Sequence, residues 1–159
     1  MAVYDALGHH AWATRTLLEF CAALTPDQRL LTSPGTYGAL DQTLAHAIGS
    51  DEYYLYLLTG ERPLRPLEPK ETVDLADLIV RAERNAGVID RLRRSSNDAS
   101  ALTPVNRGDA PIAVGIVLAQ IVHHGNEHLG QVRTILGANG IPAPDISGWA
   151  YGDQKESWV

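Results

Sequence analysis

IVHHGNEHLGQVRTIL, residues 121–136, places three histidines and a glutamate inside an otherwise apolar run. One series of residues through this run has alternating spacings of three and four, as on a helix face that packs in a core. The apolar members fix the phase of the helix, so His124 and His128 are expected to point inward, whereas His123 and Glu127 fall on the neighbouring face. The series consists of Val114, Val117, Ile121, His124, His128, Gln131 and Ile135.

Four segments of the chain have helical periodicity, and none shows convincing strand alternation. The predicted helices cover about residues 3–24, 39–59, 73–95 and 111–138, with a short helical turn after Thr25. Gly60 is expected to end the second helix, Thr72 to cap the third and Pro111 to open the fourth. Residues 140–159 are predicted to be a loop-like tail packed on the helices. We therefore predict an all-α fold, an antiparallel-type four-helix bundle, in a single domain of residues 1–159.

Composition limits the classes of function. The 159 residues are 45% hydrophobic and 20% charged, as in globular proteins. The net charge of −6 argues against a nucleic-acid partner, and the single cysteine, Cys21, excludes an intrachain disulfide and fits a reducing compartment. The N-terminus lacks the basic-then-apolar order of a signal peptide, and no apolar run approaches the ~20 residues of a membrane span. We expect a cytoplasmic protein without membrane contact.

Two imidazoles on one inward-facing seam need polar partners, because an unsatisfied buried polar group is costly. His124 and His128 lie one helical turn apart. Either each is hydrogen-bonded to a backbone carbonyl or buried water, or the two bind a metal ion together with a third ligand. His46 is the best third candidate, since it adjoins the apolar arc of the second helix. His9 and His10 lie off the apolar line of the first helix and are expected to be solvated.

Three segments in order, AWATRTLLEF, TLAHAIGSDEYYL and HHGNEHLGQVRTILGANG, resemble the DinB-like (DinB/YfiT-like) superfamily of metal-binding four-helix proteins. The resemblance covers about residues 4–151. It implies that one histidine of the second helix and two of a His-x3-His segment bind a divalent metal; these fall on His46, His124 and His128. The chain departs from the family at Glu127 and Leu129, where histidine and arginine are frequent, and at one position of the first helix. None of these departures is at a ligand.

Three neutral imidazoles leave a coordination position open, which is typical of catalytic metal sites. Such ligands suit zinc, nickel, iron and copper alike. Characterised members of the family include enzymes that use mycothiol or bacillithiol, as S-transferases or as a maleylpyruvate isomerase. The resemblance therefore implies a metal-dependent enzyme that activates a small-molecule thiol for attack on an electrophile. The alternative is a non-catalytic, stress-related bundle in which the ion is structural.

Two polar residues are candidates for orienting a ligand imidazole. Gln131 follows His128 by one helical turn. Asp51 falls on the apolar arc of the second helix and can either serve a ligand or pair with an arginine of the first or third helix.

Aromatic and apolar residues outside the predicted core suggest two further contacts. Trp149 and Tyr151 in the tail can cover the mouth of a metal pocket or simply attach the tail to the bundle. Tyr56 and Leu57 on the second helix are candidates for a homodimer contact.

Overall fold

A computed structural model describes residues 2–63, 65–94, 102–107 and 110–154. Its elements, in chain order, are α1 (Ala2–Ala22), α2 (Pro26–Arg29), α3 (Leu40–Thr59), α4 (Leu75–Arg94), β1 (Leu102–Arg107), β2 (Ala110–Ala113), α5 (Val114–Ala138) and α6 (Gly148–Gln154). The predicted all-α fold is confirmed, and the long helices α1, α3, α4 and α5 begin and end within three residues of their predicted bounds. None of the helices in the described residues is both long and apolar enough to cross a membrane.

The long helices enclose two apolar clusters at opposite ends of the bundle, which we call the large and the small cluster. The large cluster includes Leu17, Leu44, Leu78 and Ile135, and the small cluster includes Leu7, Leu55, Ile89 and Ile121. Along the chain, α1 and α5 run from the small cluster to the large one, whereas α3 and α4 run the opposite way. The packed pairs α1–α4 and α3–α5 are therefore antiparallel, as predicted, but α1–α5 and α3–α4 are parallel.

A polar layer separates the two clusters. Three of the long helices contribute one polar residue each to this layer, and α5 contributes a glycine. The residues are His10 on α1, Asp51 on α3, Asn85 on α4 and Gly125 on α5, each lying between members of the two clusters along its helix. His10 Nε2 lies 2.7 Å from Asp51 Oδ2, and Asn85 Nδ2 donates to the Ile48 carbonyl at 3.3 Å. A Cβ at Gly125 would overlap the imidazole of His10. The layer thus needs a residue without a side chain on α5.

The strands β1 and β2, which precede α5, pair as an antiparallel hairpin. This hairpin was not predicted from the sequence. Ala113 has extended backbone angles (φ −61°, ψ 134°), so α5 begins after it, and the prediction that Pro111 opens this helix is wrong. Pro111 pairs with Asn106 in the hairpin. Both strands of a two-stranded ribbon are edge strands, where a proline is tolerated.

Local capping explains two further differences. The Asp74 side chain accepts the Ala76 amide at 3.1 Å, so α4 begins two residues later than Thr72 predicted. In the tail, the Ser147 hydroxyl accepts the Ala150 amide at 3.2 Å, and this cap starts the short helix α6 within a segment predicted to be a loop. The predicted Thr25 cap of α2 and the Gly60 end of α3 are both present.

The face of α3 that carries Asp41 and Glu52 is largely buried. Glu52 is only 5% exposed, and the Arg81 guanidinium on α4 donates to its carboxylate at 3.0 Å. Asp41 is also buried, with Arg29 3.9 Å away. Arginine partners from α4 and α2, rather than water alone, therefore compensate the two carboxylates.

Leu57, expected to lie outside the core, is instead 3% exposed within the chain, and the homodimer contact stays a prediction. Tyr56 is half-buried, and its hydroxyl accepts a hydrogen bond from Arg62 at 3.2 Å.

Gly125→Ala tests the polar layer. We expect this variant to lose about 1–3 kcal/mol of unfolding free energy, because the new methyl group forces His10 out of place. Gly130→Ala is the matched control on the same helix: a Cβ there meets no atom within 4 Å. That control should gain up to ~1 kcal/mol, the usual effect of replacing a helical glycine by alanine. Urea denaturation measures both, and equal effects of the two substitutions would contradict the close packing of His10.

Candidate metal centre

Three imidazoles converge between α3 and α5. One nitrogen of each of His46, His124 and His128 lies within 4.8 Å of the others. His124 Nε2 and His128 Nε2 are 3.1 Å apart, and the ring centroid of His46 lies 5.1 Å from that of His124 and 4.6 Å from that of His128. The helical spacing of four on α5 places two of the rings one above the other, and the antiparallel packing of α3 brings the third beside them.

Gln131 determines which nitrogen of His128 faces the other two rings. Gln131 Oε1 accepts the backbone N–H of Tyr37 at 3.0 Å, so the atom at that position must be the amide oxygen. The same oxygen lies 3.0 Å from His128 Nδ1, which must therefore carry the proton of the neutral ring. His128 Nε2 is left with a free lone pair, and it points at His124. This tautomer is the one required for binding a metal through Nε2.

Aromatic rings enclose the triad on two sides. Tyr37 is stacked on His46, with ring centroids 4.0 Å apart and planes 8° apart, and Tyr54 meets His124 edge-on at 5.6 Å. His128 is 6% exposed, whereas the other two imidazoles are half-buried and remain accessible from solvent. His123 and Glu127, on the next face of α5, are exposed as predicted.

Burial favours the uncharged form of two candidate ligands, His124 and His46. Desolvation, followed by the neighbouring charges of His128 and His46, lowers the pKa of His124 to about 4. Desolvation and the charge of His128 also lower the pKa of His46. Metal binding requires neutral imidazole, so these rings need not release a proton at pH 7.

The donor set fits a divalent metal. Two nitrogens bound to one ion at about 2.0–2.1 Å in a tetrahedral arrangement lie about 3.3 Å apart, close to the 3.1 Å between the His124 and His128 nitrogens. All three donors are imidazole nitrogens, which are common ligands of zinc, nickel, iron and copper. Among the described residues, one group contains at least three potential metal ligands close together, and it consists of His46, His124 and His128.

His10, expected to be solvated, is buried instead. His10 is 1% exposed and is paired with Asp51, which is 3% exposed. The partner of Asp51 is thus a histidine of α1 rather than an arginine. Burial lowers the pKa of His10, but the charge of Asp51 and the hydrogen bond to it outweigh burial and raise the pKa overall. A signal was present, because Leu7, His10, Thr14, Leu17 and Cys21 have alternating spacings of three and four, and all are buried.

The two tail aromatics have different surroundings. The ring of Tyr151 lies 5.6 Å from that of His9 and 5.5 Å from that of Trp12, both on α1, whereas Trp149 is 71% exposed. His9 Nε2 also lies 2.8 Å from the Ile146 carbonyl oxygen, so His9 holds the tail rather than being solvated as expected. These contacts favour attachment of the tail to α1, and a role for Trp149 and Tyr151 over the metal site stays a prediction.

Comparison with known families agrees with the site. Residues 9–132 match the sequence model of the DinB superfamily, and this range contains all three histidines. The chain belongs to the DinB superfamily. No curated protein and no solved structure matches the chain significantly. The similarity to this superfamily that the three sequence segments predicted is confirmed. The chain is therefore a DinB-like protein with a candidate three-histidine metal site.

Gln131→Met should weaken zinc binding by about 10–100-fold, because it removes the acceptor that orients His128. Gln131→Glu keeps an oxygen acceptor at the same distance along the side chain and should stay within a few-fold of the wild type. Competition with a fluorescent zinc chelator measures both affinities. Unchanged affinity in the Met variant would contradict the proposed role of the amide oxygen.

The metal-free protein should lose stability as the pH falls from about 6.5 to about 4. An unfolded chain protonates its histidines near pH 6.5, whereas the folded chain holds the pKa of His124 at about 4. The unfolded state therefore binds more protons over this interval, and the free energy of unfolding falls with pH. The loss should be smaller in His124→Gln, as measured by urea denaturation at neutral pH and at about pH 5. An equal loss in both proteins would contradict the lowered pKa.

Proposed function

We propose that the protein is a metal-dependent enzyme that activates a small-molecule thiol, of the mycothiol or bacillithiol type, for attack on an electrophile. His46, His124 and His128 are the proposed ligands of one divalent ion such as zinc, nickel or iron. When bound, such an ion lowers the pKa of a thiol or water that occupies its remaining position. The observation that supports an enzyme most strongly is that the donor set has three nitrogens, two of them on half-buried rings that solvent can reach, because a structural site is normally closed by a fourth protein ligand.

The chain's own thiol is unsuited to the reaction. Cys21 is fully buried in the large cluster, and burial, together with the charge of Asp41, raises its pKa to about 12. A thiolate is the reactive form of a cysteine, so Cys21 acts as a small core residue. The proposed nucleophile is therefore supplied by a second molecule.

A groove of about 320 Å³ with mixed polar and apolar lining adjoins Tyr54 and is a candidate binding place for the body of an electrophile. Tyr54 lies between the groove and His124. Its ring contacts the His124 ring, and its hydroxyl accepts a hydrogen bond from Gln120 Nε2 at 3.2 Å. Residues of α3, α5 and β2 line the groove, including Tyr53, Leu57, Ile112, Ile116 and Val117. The aromatic and aliphatic side chains of the lining favour a substrate with an aromatic or apolar part.

Elemental analysis tests the metal site first. We expect about one divalent ion per chain in the purified, tagless protein, because three imidazole ligands bind one ion. The double variant His124→Ala, His128→Ala should lose this ion. His123→Ala is the matched control, since it removes an exposed histidine next to the site and should keep the full metal content. Absence of metal from the wild type, even after reconstitution, would contradict the proposal.

Activity then separates the enzyme from the structural alternative. The metal-loaded protein is mixed with mycothiol or bacillithiol and chlorodinitrobenzene; a sulfur–carbon bond forms, chloride leaves, and the thiol proton passes to the buffer. We expect turnover in the wild type and in His123→Ala but not in the double variant. A bound ion that raises the unfolding temperature without turnover of any electrophile tested would favour the structural alternative.

A further inference from the structure

Three buried polar atoms near the centre of the bundle are without hydrogen-bond partners among the described residues. They are His10 Nδ1, Asp51 Oδ1 and His124 Nδ1. Two of them complement each other, since Asp51 Oδ1 is an acceptor and an imidazole nitrogen can be a donor. Asp51 is linked to the surroundings of His124 through His10: its Oδ2 lies 2.7 Å from His10 Nε2, and the His10 ring lies against Gly125, the residue after His124.

The protons of the triad explain why His124 Nδ1 is unpaired without a metal. His128 Nε2 has a free lone pair, because Gln131 accepts the proton on the other nitrogen. The 3.1 Å contact between the two Nε2 atoms is then a hydrogen bond that His124 donates. A neutral His124 that carries its proton on Nε2 has none on Nδ1.

A metal changes this arrangement. For His124 to bind through Nε2, the proton must move to Nδ1, where it needs an acceptor. Metal-bound histidines almost always donate their second N–H to a carboxylate, a carbonyl or water.

We propose that Asp51 positions the ligand His124: its unpaired Oδ1 accepts the Nδ1–H of His124 in the metal-bound protein, while His10 holds Oδ2. The inference rests on the metal site of the proposed function but not on the thiol chemistry. It extends the site from α3 and α5 to a third helix, because His10 lies on α1.

His10 is the reason that Asp51 is suited to this role. The 2.7 Å contact between His10 Nε2 and Asp51 Oδ2 fixes the position of one carboxylate oxygen. His10 itself is held against Gly125, the residue that follows His124 on α5. His10 thus keeps the carboxylate close to His124. Its second oxygen, Oδ1, remains available to accept a hydrogen bond.

The test measures zinc affinity of the full chain after removal of the Asp51 charge. We expect Asp51→Asn to bind zinc about 10–100-fold more weakly with an unchanged stoichiometry, the usual effect of losing such a partner. Glu52→Gln is the matched control: the next residue of α3 is also a buried carboxylate, but its partner is Arg81. Zinc affinity of this control should stay within about threefold of the wild type. Urea denaturation of the metal-free proteins reports how much stability each variant loses.

Nitrogen NMR of the histidine rings provides a readout that a merely structural role would not move. In the wild type, zinc should shift the His124 proton from Nε2 to Nδ1 and protect it from exchange with solvent; His124→Gln identifies the signal. In zinc-saturated Asp51→Asn, this proton should exchange faster. Unchanged zinc affinity and unchanged exchange in Asp51→Asn would overturn the proposal. Equal loss of affinity in Asp51→Asn and Glu52→Gln would also overturn it.

The outcomes separate the inference from the proposed function. Zinc binding that depends on Asp51, without thiol turnover, supports the positioning role and removes the enzyme proposal. Zinc binding with turnover but without dependence on Asp51 removes the positioning role alone. A wild type that binds no zinc or other divalent ion overturns both.

Discussion

The buried contact between His10 and Asp51 is the constraint on which the rest of the structure depends. Burying a carboxylate and an imidazole costs several kcal/mol unless both are well paired, so the pair forms only when α1 and α3 are in one register. Gly125 extends the constraint to α5, because only a residue without a side chain leaves room for the imidazole. Apolar clusters alone tolerate sliding of one helix along another, whereas the polar layer does not.

The metal site inherits its geometry from that register. His124 directly precedes Gly125, and His46 lies five residues before Asp51, so a shift of α3 along its axis that separates the polar pair also moves His46 away from the two imidazoles of α5. The loop before α3 adds a second constraint through the Tyr37 backbone and Gln131. The helices therefore position all three ligands, and Gln131, which accepts the Tyr37 N–H, determines the tautomer of His128.

The fold and the triad were predictable because α5 has apolar residues on both sides of its histidines, which determine the helix phase. His10 was not predicted because the apolar line of α1 was drawn through Ala11, whose small side chain is equally compatible with either phase. The burial of Glu52 was not predicted because its partner, Arg81, lies 29 residues away, and no local pattern reveals such a pair. The hairpin was missed for a related reason: its strands are short, and prolines in edge strands resemble helix starts.

A helix that supplies no ligand nevertheless takes part in the site. Metal binding to α3 and α5 favours the His124 tautomer that needs Asp51, and Asp51 is held by α1. A ligand that binds only the folded chain adds its binding free energy to the stability of that chain. An ion in this triad therefore stabilises the docking of α1 as well as the α3–α5 pair that binds it. The same linkage works in reverse, because loosening of α1 frees the carboxylate and weakens the ligand that faces it.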